Sequence, residues 1–389
     1  MLVGLVGKTN VGKSTFFNAC THAQAAVGAY PFTTIDPNKG IAFAEAACPC
    51  KELNVKCVPR NSRCENGVRK IPINIVDVAG LVPDAHEGKG MGIQFLNDLS
   101  QADALLCIVD ASGSTDDEGK ACPSGSHDPC RDVEILFTEL DYWIADILKR
   151  NIAKAKGKTL SDLTQYLSGI RVSESVLKEA MEECELREDF FKWSEQDLLS
   201  MATCFRKATK PTLIVANKID LPKAEDCLNR LKQEFPSYII VPVSADSELA
   251  LKRASEKGII SYDGKKMSLL NENLPPKLIE ALNTIQHNVL DKYGSTGVQD
   301  VINKAVFDLL KLIVVYPVED EKHFSDHFGN VLPDAIMLPQ NSTPVALAER
   351  IHTDLAKGFL YAIDARKNMR IAKDHFLKSG DITKIVSAR

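Results

Sequence analysis

Residues 7–14 read Gly7-Lys8-Thr9-Asn10-Val11-Gly12-Lys13-Ser14, a match to the phosphate-cradling pattern G-x-x-x-x-G-K-[ST]. The apolar run Leu2-Val3-Gly4-Leu5-Val6 before it reads as a buried strand, and Phe16-Phe17-Asn18-Ala19-Cys20 after it reads as a helix. Strand, glycine-rich turn and helix in this order aim backbone N–H groups and the positive helix end at phosphate oxygens. Gly7 through Thr15 are therefore the expected phosphate contacts. Lys13 is expected on the β- and γ-phosphates, and the Ser14 hydroxyl on Mg²⁺. The surrounding fold is an α/β P-loop NTPase with a doubly wound, mostly parallel sheet.

Three further segments extend this cradle. The alternating stretch Ile71-Pro72-Ile73-Asn74-Ile75-Val76 predicts a strand that ends in Asp77-Val78-Ala79-Gly80. An acid at that strand end lies beside the cradle and can hold Mg²⁺, while the Gly80 N–H can meet the γ-phosphate. Pro211 to Ala216 predicts a buried strand ending in Asn217-Lys218-Ile219-Asp220. The Asp220 carboxylate would accept from the N1–H and amine of guanine, donors that adenine lacks, with Asn217 bonding the base edge and the loops around it and Lys218 over the ring. Ile239 to Val243 predicts one more strand, and Ser244-Ala245 at its end can place a backbone N–H on guanine O6. Between the cradle and Asp77, Thr33 and Thr34 fall where a threonine completes the Mg²⁺ shell and senses the γ-phosphate; Thr34 is preferred. Together these segments imply a guanine nucleotide.

Composition sets outer bounds. The chain has 389 residues, 44% hydrophobic and 25% charged, in the range of ordinary globular proteins. No apolar stretch is long enough to span a membrane, and no signal peptide is expected ahead of the cradle. Eleven cysteines without a secretory signal point to reduced thiols and a cytoplasmic location. Net charge is −5, but residues 350–389 hold nine Lys/Arg against four Asp, a local +5 suited to an anionic partner such as RNA.

The predicted organisation is a nucleotide domain over 1–130 and 206–275, a helical insert over 131–205, a helical linker over 276–304 and a small domain over 305–389. The insert is read from Val133, Leu136, Phe137, Leu140, Trp143, Ile144, Ile147 and Leu148, spaced by threes and fours, followed by helices at Ser173–Glu185 and Ser194–Lys207. In the small domain, strands are expected at Leu309–Val318, Ala335–Leu338, Phe359–Ile363 and Asp381–Val386, around a helix opened by Thr343-Pro344. That pattern fits a β-grasp fold.

The segments Y-P-F-T-T-I-x-P-N-x-G and D-V-A-G-L-V-P-x-A-x-x-G-K-G-M-G, from Tyr30 and Asp77 onward, resemble the Obg superfamily of GTPases, and most closely its YchF-related archaeal branch. The resemblance covers most of the chain and implies a C-terminal TGS domain, a module shared with translation factors and threonyl-tRNA synthetases. It thus implies contact with the ribosome or RNA, through residues such as Arg366, Lys367, Arg370 and Lys373. Bacterial and eukaryotic YchF/Obg-like ATPases have a degenerate base-selecting motif, whereas this chain keeps Asn217, Lys218 and Asp220. Leu81 stands where Ras-like GTPases have a water-orienting Gln, which implies slow intrinsic hydrolysis. Asn10 matches a position that resembles a K⁺ ligand in related hydrophobic-substituted GTPases; the alternative is that its side chain supports the turn.

Cys48, Cys50, Cys57 and Cys64 fall within seventeen residues. Four thiols can hold Zn²⁺, though their spacing is not the paired C-x-x-C arrangement, and free thiols are the alternative. No metal is expected at Cys122, His127 and Cys130. The sequence thus predicts a monomeric GTP-hydrolysing switch with Lys13, Thr34, Gly80 and Asn10 in catalytic roles and Ser14, Thr34 and Asp77 on Mg²⁺. The competing reading is a nucleotide-dependent RNA- or protein-binding module with negligible turnover.

Overall fold

The computed structural model describes residues 1–21, 38–78, 99–155, 159–187, 189–271 and 274–388. Thr33, Thr34, Gly80, Leu81 and the glycine-rich stretch Gly88–Gly92 lie outside them. The chain divides into two compact units, one formed by Met1–Ile41 and Asn74–Val301, the other by Ala42–Ile73 and Ile302–Arg389.

In the first unit, Leu2–Val6 forms β1 and leads through the cradle to a helix over Lys13–Thr21. The strands β2, Lys39–Ala47, and β4, Val68–Asp77, are divided between the two units, while β3, Arg63–Glu65, falls wholly in the second. Ala104–Asp110 is β5, Thr212–Asn217 is β6 and Ile240–Pro242 is β7. The sheet order is β2-β4-β1-β5-β6-β7, with β3 on β4. Within the run β4-β1-β5-β6-β7 each pair is parallel, with Leu5 opposite Asp77 and Asp110 opposite Asn217, whereas β3 is antiparallel to β4. Every residue of β5 and β6 is buried, as their unbroken apolar runs demand in a sheet covered on both faces. Parallel register brings Gly7, Asp77, Asp110 and Asn217 to one edge, the carboxyl ends of the strands, where α/β sheets bind ligands.

The insert opens with a helix over Pro129–Lys154, longer than its expected start at residue 131, because Asp128 caps it by accepting from the Cys130 N–H and Pro129 takes the first turn. Its apolar stripe, Leu136, Leu140, Ile144 and Leu148, joins Leu163, Leu177, Met201 and Phe205 from the following helices in one core. Ser173 and Ser194 cap helices over Glu174–Glu183 and Glu195–Thr209.

Leu309 to Lys311, expected to open a strand, does not: a widened helical turn runs through Leu309, and Lys311 takes a left-handed φ of 49° before the strand begins. The second unit's sheet is then built from β10 (Leu312–Val318), β11 (Ile336–Pro339), β12 (Phe359–Asp364), β13 (Met369–Ile371) and β14 (Ile382–Ser387), in the order β11-β10-β14-β12-β13, numbered after a short hairpin of β8 (Ile260–Tyr262) and β9 (Met267–Leu269) in the first unit. Strands β10 and β14 are parallel and the other pairs antiparallel. A helix over Pro344–Ile351, capped by Thr343, buries Leu347 and Ala348. This is the β-grasp arrangement. Ala42–Ile73, expected within the nucleotide domain, belongs to this second unit: Cys48, Cys50 and Ile71 share a core with Val314, Tyr316, Leu332 and Ile382. All eleven cysteines are unpaired thiols. Among the described residues, no helix is long and apolar enough to cross a membrane.

Candidate nucleotide site

At the carboxyl edge of the first sheet lies a cleft of ≈ 460 Å³ lined by Asn10, Gly12, Lys13, Ser14, Thr15, Asn217, Lys218, Asp220, Leu221, Ala245 and Asp246. The phosphate cradle and the base-selecting segment, two hundred residues apart in the chain, therefore face one space.

The cradle's backbone explains its glycines. Gly12 has φ +95° and its Cα faces the Asn217 side-chain amide so closely that a Cβ would collide with it. Gly7, at φ +148°, abuts the Ile108 carbonyl in the same way. Only glycine meets both demands without strain. Asn10 adopts a left-handed φ of 63°, and its Nδ2 donates to the Gly119 carbonyl at 2.8 Å. That bond ties the cradle to a loop 109 residues further along the chain. Val11 is fully buried, so it contributes backbone alone.

The Lys13 ammonium lies over the loop, donating to the Lys8 carbonyl at 2.7 Å. Burial pushes its pKa down from the usual lysine range, with the Asp77 charge acting the other way. Ser14 Oγ donates to Asp77 Oδ2 at 2.8 Å, and Asp77 Oδ1 is buried without a hydrogen-bond partner among the described residues. A hydroxyl, a carboxylate oxygen already beside it and an orphaned second oxygen are hard donors of the kind Mg²⁺ takes. The residues present fit the ion.

Asn217 is the hinge of the site. It is buried, its Nδ2 donates to the Val11 carbonyl at 2.8 Å, and its Oδ1 accepts from the Ala245 N–H at 3.2 Å. One side chain thereby ties the cradle, the base-selecting turn and the loop after β7. Each end of its amide makes one bond to protein backbone, and these two bonds hold the loops together. Lys218, at a left-handed φ of 62°, places its ammonium on Asp110 Oδ2 at 2.8 Å and Thr115 Oγ1 at 3.1 Å. That anchors the end of a side chain whose stem lines the cleft.

Asp220 accepts from Ser244 Oγ at 2.6 Å. Ser244 also accepts from the Ser247 N–H and so caps the helix Ala245–Glu256. The expectation that Ser244 or Ala245 offers a backbone N–H to the base meets a correction: Ser244 N donates to the Thr296 carbonyl and Ala245 N to Asn217. Both donors are consumed in shaping the loop.

Sequence reading also assigned Lys8 to the nucleotide. Its ammonium points elsewhere, donating to the Thr115 carbonyl at 2.8 Å and pairing with Asp132 Oδ1 at 2.9 Å, while His127 Nε2 lies 2.8 Å from the same oxygen. Burial pushes the Asp132 carboxyl up, with Lys8 and His127 working against that. Asp110 is fully buried; burial works to raise its carboxyl, yet bonds from Lys218, Ser112 and Thr115 outweigh it and hold it below the usual range. Asp110 and Asp132 were not singled out from the sequence. Asp110 carried a signal, since it ends a buried strand as Asp77 does. Asp132 carried none, being an acid on the first turn of a helix. Cys122 Sγ donates to the Gly113 carbonyl at 3.5 Å, and His127 groups with Asp117 and Asp132.

Residues 2–138 match a family profile described as 50S ribosome-binding GTPase, residues 215–320 one described as Obg-like GTPase YGR210-like, G4 motif-containing domain, and residues 328–387 the TGS domain. An uncharacterised GTP-binding protein of Methanocaldococcus jannaschii is 51% identical over 393 residues, covering 100% of this chain and 99% of that protein. One of Schizosaccharomyces pombe is 36% identical over 375 residues, covering 90% of each. The crystal structure of a GTP-binding protein from Pyrococcus horikoshii OT3 matches with a TM-score of 0.80 at 43% identity, with 100% of each chain covered. Similarity over the whole length, together with the cleft just described, places the sequence: the chain belongs to the Obg-like/YchF family of P-loop GTPases with a C-terminal TGS domain.

Proposed function

We propose that this chain binds GTP in preference to ATP and hydrolyses it to GDP and phosphate, slowly on its own, as a switch whose GTP state gates association with the ribosome or RNA. The observation that carries this reading is one cleft lined both by Lys13 and Ser14, the latter bonded to Asp77, for the phosphates and by Asp220 for the base. Asp220 accepts the two guanine donors; adenine leaves this carboxylate unmatched, which makes it the costly base. Lys13, held at lowered pKa by burial, regains its favoured charge beside the phosphates and stabilises charge spreading over the transferred group. Mg²⁺, held by Ser14 and Asp77 and completed by Thr34, supplies further charge neutralisation there. Gly80 reads the γ-phosphate. Leu81 offers no polar group to orient water, which sets the slow rate.

Asn10 bonds Gly119 through its nitrogen, so its oxygen is the atom we assign to K⁺. The partner surface we assign is the TGS domain. Arg366 is engaged by Glu52 and Lys367 pairs with Asp364, while exposed Arg370 stacks over Tyr361 at 3.9 Å and Lys373 is exposed. Arg370, Tyr361 and Lys373 are therefore the favoured contacts for a polyanion.

The test is fluorescent GTP and ATP binding at fixed Mg²⁺, followed by phosphate release with and without ribosomes in KCl and in NaCl. GTP is expected to bind at least about a hundredfold tighter than ATP; equal affinities sink the base assignment. Equal rates in the two salts remove the K⁺ role. Leu81 favours a second reading, a binding module with negligible turnover, and it replaces the first if no partner accelerates phosphate release.

A further inference from the structure

The second unit holds a built site that the nucleotide chemistry does not use. The sulfurs of Cys48, Cys50, Cys57 and Cys64 all lie within 4.8 Å of one another, with Cys50 Sγ and Cys64 Sγ 3.6 Å apart. They come from separate pieces of local structure. Cys48 precedes and Cys50 lies within a one-turn helix over Pro49–Glu52, Cys57 is in the loop that follows, and Cys64 is on β3, opposite Arg69 in the β3–β4 hairpin. A tetrahedral ion with metal–sulfur bonds of about 2.3 Å has edges of about 3.8 Å between its ligands. The four sulfurs already stand close to those edges.

A second observation points to a charged occupant. Arg69 is 0% exposed, donates to Ser62 Oγ at 3.0 Å, to the Leu332 carbonyl at 3.0 Å and to Cys48 Sγ at 3.4 Å, and has its Nε unbonded. No carboxylate pairs with it among the described residues. A buried guanidinium without an anion is costly, and four thiols are neutral. Four thiolates around one divalent ion carry a net charge of −2, which supplies the missing anion.

We propose that Cys48, Cys50, Cys57 and Cys64 bind one structural Zn²⁺, with Arg69 as its buried counter-charge. On binding, four Zn–S bonds form and the thiol protons leave to solvent; no electron is transferred. Four sulfur ligands in a closed tetrahedron select zinc among common divalent ions and leave no open position for chemistry. The consequence is architectural. Residues 48–67 contain little regular structure, yet they carry Arg60, which pairs with Asp334 at 2.6 Å, and Asn61, whose amide exchanges two bonds with the Ala335 backbone. The ion would fix this segment where its own apolar area is too small to do so.

The test is elemental analysis of the full chain purified without chelator. About one zinc per chain is expected. Cys57→Ser should lose at least about tenfold in zinc affinity, Arg69→Met should weaken it, and Cys122→Ser, outside the quartet, should retain it. Because serine variants of buried ligands can misfold, Co²⁺ loading of the unaltered chain is the companion measurement, and it should give the thiolate charge-transfer and strong visible bands of a tetrahedral sulfur site. Less than about 0.2 zinc per chain together with no such cobalt spectrum overturns the proposal. So does iron in place of zinc, or a thiol titration under denaturing conditions that finds fewer than the eleven free cysteines.

Discussion

Asn217→Ala removes a side chain that joins the phosphate cradle directly to the base-selecting loop. Two bonds go with it, the donation to the Val11 carbonyl at 2.8 Å and the acceptance from the Ala245 N–H at 3.2 Å. The site is 3% exposed, so water does not simply replace the amide. Leaving a buried backbone group unpaired costs about 1–3 kcal/mol, and the two together about 2–4 kcal/mol once relaxation is allowed. Both bonds are made between protein groups, so the loss falls first on stability, measured by denaturant unfolding. The loosened cradle must then be ordered by the ligand. Fixing one or two residues at about 1–2 kcal/mol each weakens binding roughly tenfold to a hundredfold. Because the amide contacts backbone at both ends, GTP, GDP and pyrophosphate should all lose affinity by similar factors. Isothermal titration of the three ligands provides the assay. A variant that keeps its stability and binds pyrophosphate within about threefold of the parent refutes the reasoning. A loss confined to guanine ligands would return Asn217 to reading the base.

Asp220→Asn swaps a double acceptor for one donor and one acceptor, so GTP affinity should fall at least about a hundredfold while xanthosine triphosphate gains, as competition binding will read. Lys8→Met leaves Asp132 buried with His127 alone and should cost about 3 kcal/mol in unfolding free energy, most of it recovered in Lys8→Met/Asp132→Leu; additive losses in this cycle would refute the pairing. Lys210 is buried, donates to the Ser100 and Ala102 carbonyls, and is lowered to about 8, first by burial and then by Arg171. Between that value and its unfolded value the unfolded chain binds more protons, so this group's contribution to stability rises with pH from about 8 to about 10.5. Lys210→Met should abolish that rise in thermal melts; an unchanged pH profile counts against the assignment.

The cradle and the Asn217–Asp220 segment were legible because each must meet a ligand with backbone and side-chain groups at fixed spacing, and that spacing is written contiguously. Strands β5 and β6 were legible for the same local reason, as unbroken apolar runs. The partner of Lys8 was not, since Asp132 lies far along the chain at the start of the insert and nothing local marks the pair. The N–H groups of Ser244 and Ala245 were misassigned because their acceptors, Thr296 and Asn217, are supplied by tertiary structure. Leu309 to Lys311 has strand-like composition, but the left-handed Lys311 sets the boundary one residue later. Membership of Ala42–Ile73 in the second unit was hidden too, because covalent order places it between two parts of the first.

One chain of polar groups, buried except for half-buried Lys218, connects these observations. Asp110 holds Lys218 of the base-selecting turn and Thr115; the Thr115 carbonyl holds Lys8 of the cradle; Lys8 holds Asp132 on the first turn of the insert's long helix. Asn217 closes the circuit from the turn back to the cradle through Val11. None of these groups is positioned by water-exposed contacts that could be exchanged at little cost, and a half-satisfied network of this kind is worse than none. The cradle is thus fastened both to the loop that chooses the base and to the helix that begins the insert. A backbone change at residues 8–13 on nucleotide exchange would have to reach Asp132 through Lys8. That gives the insert, whose role the sequence left open, a physical link to the phosphate site.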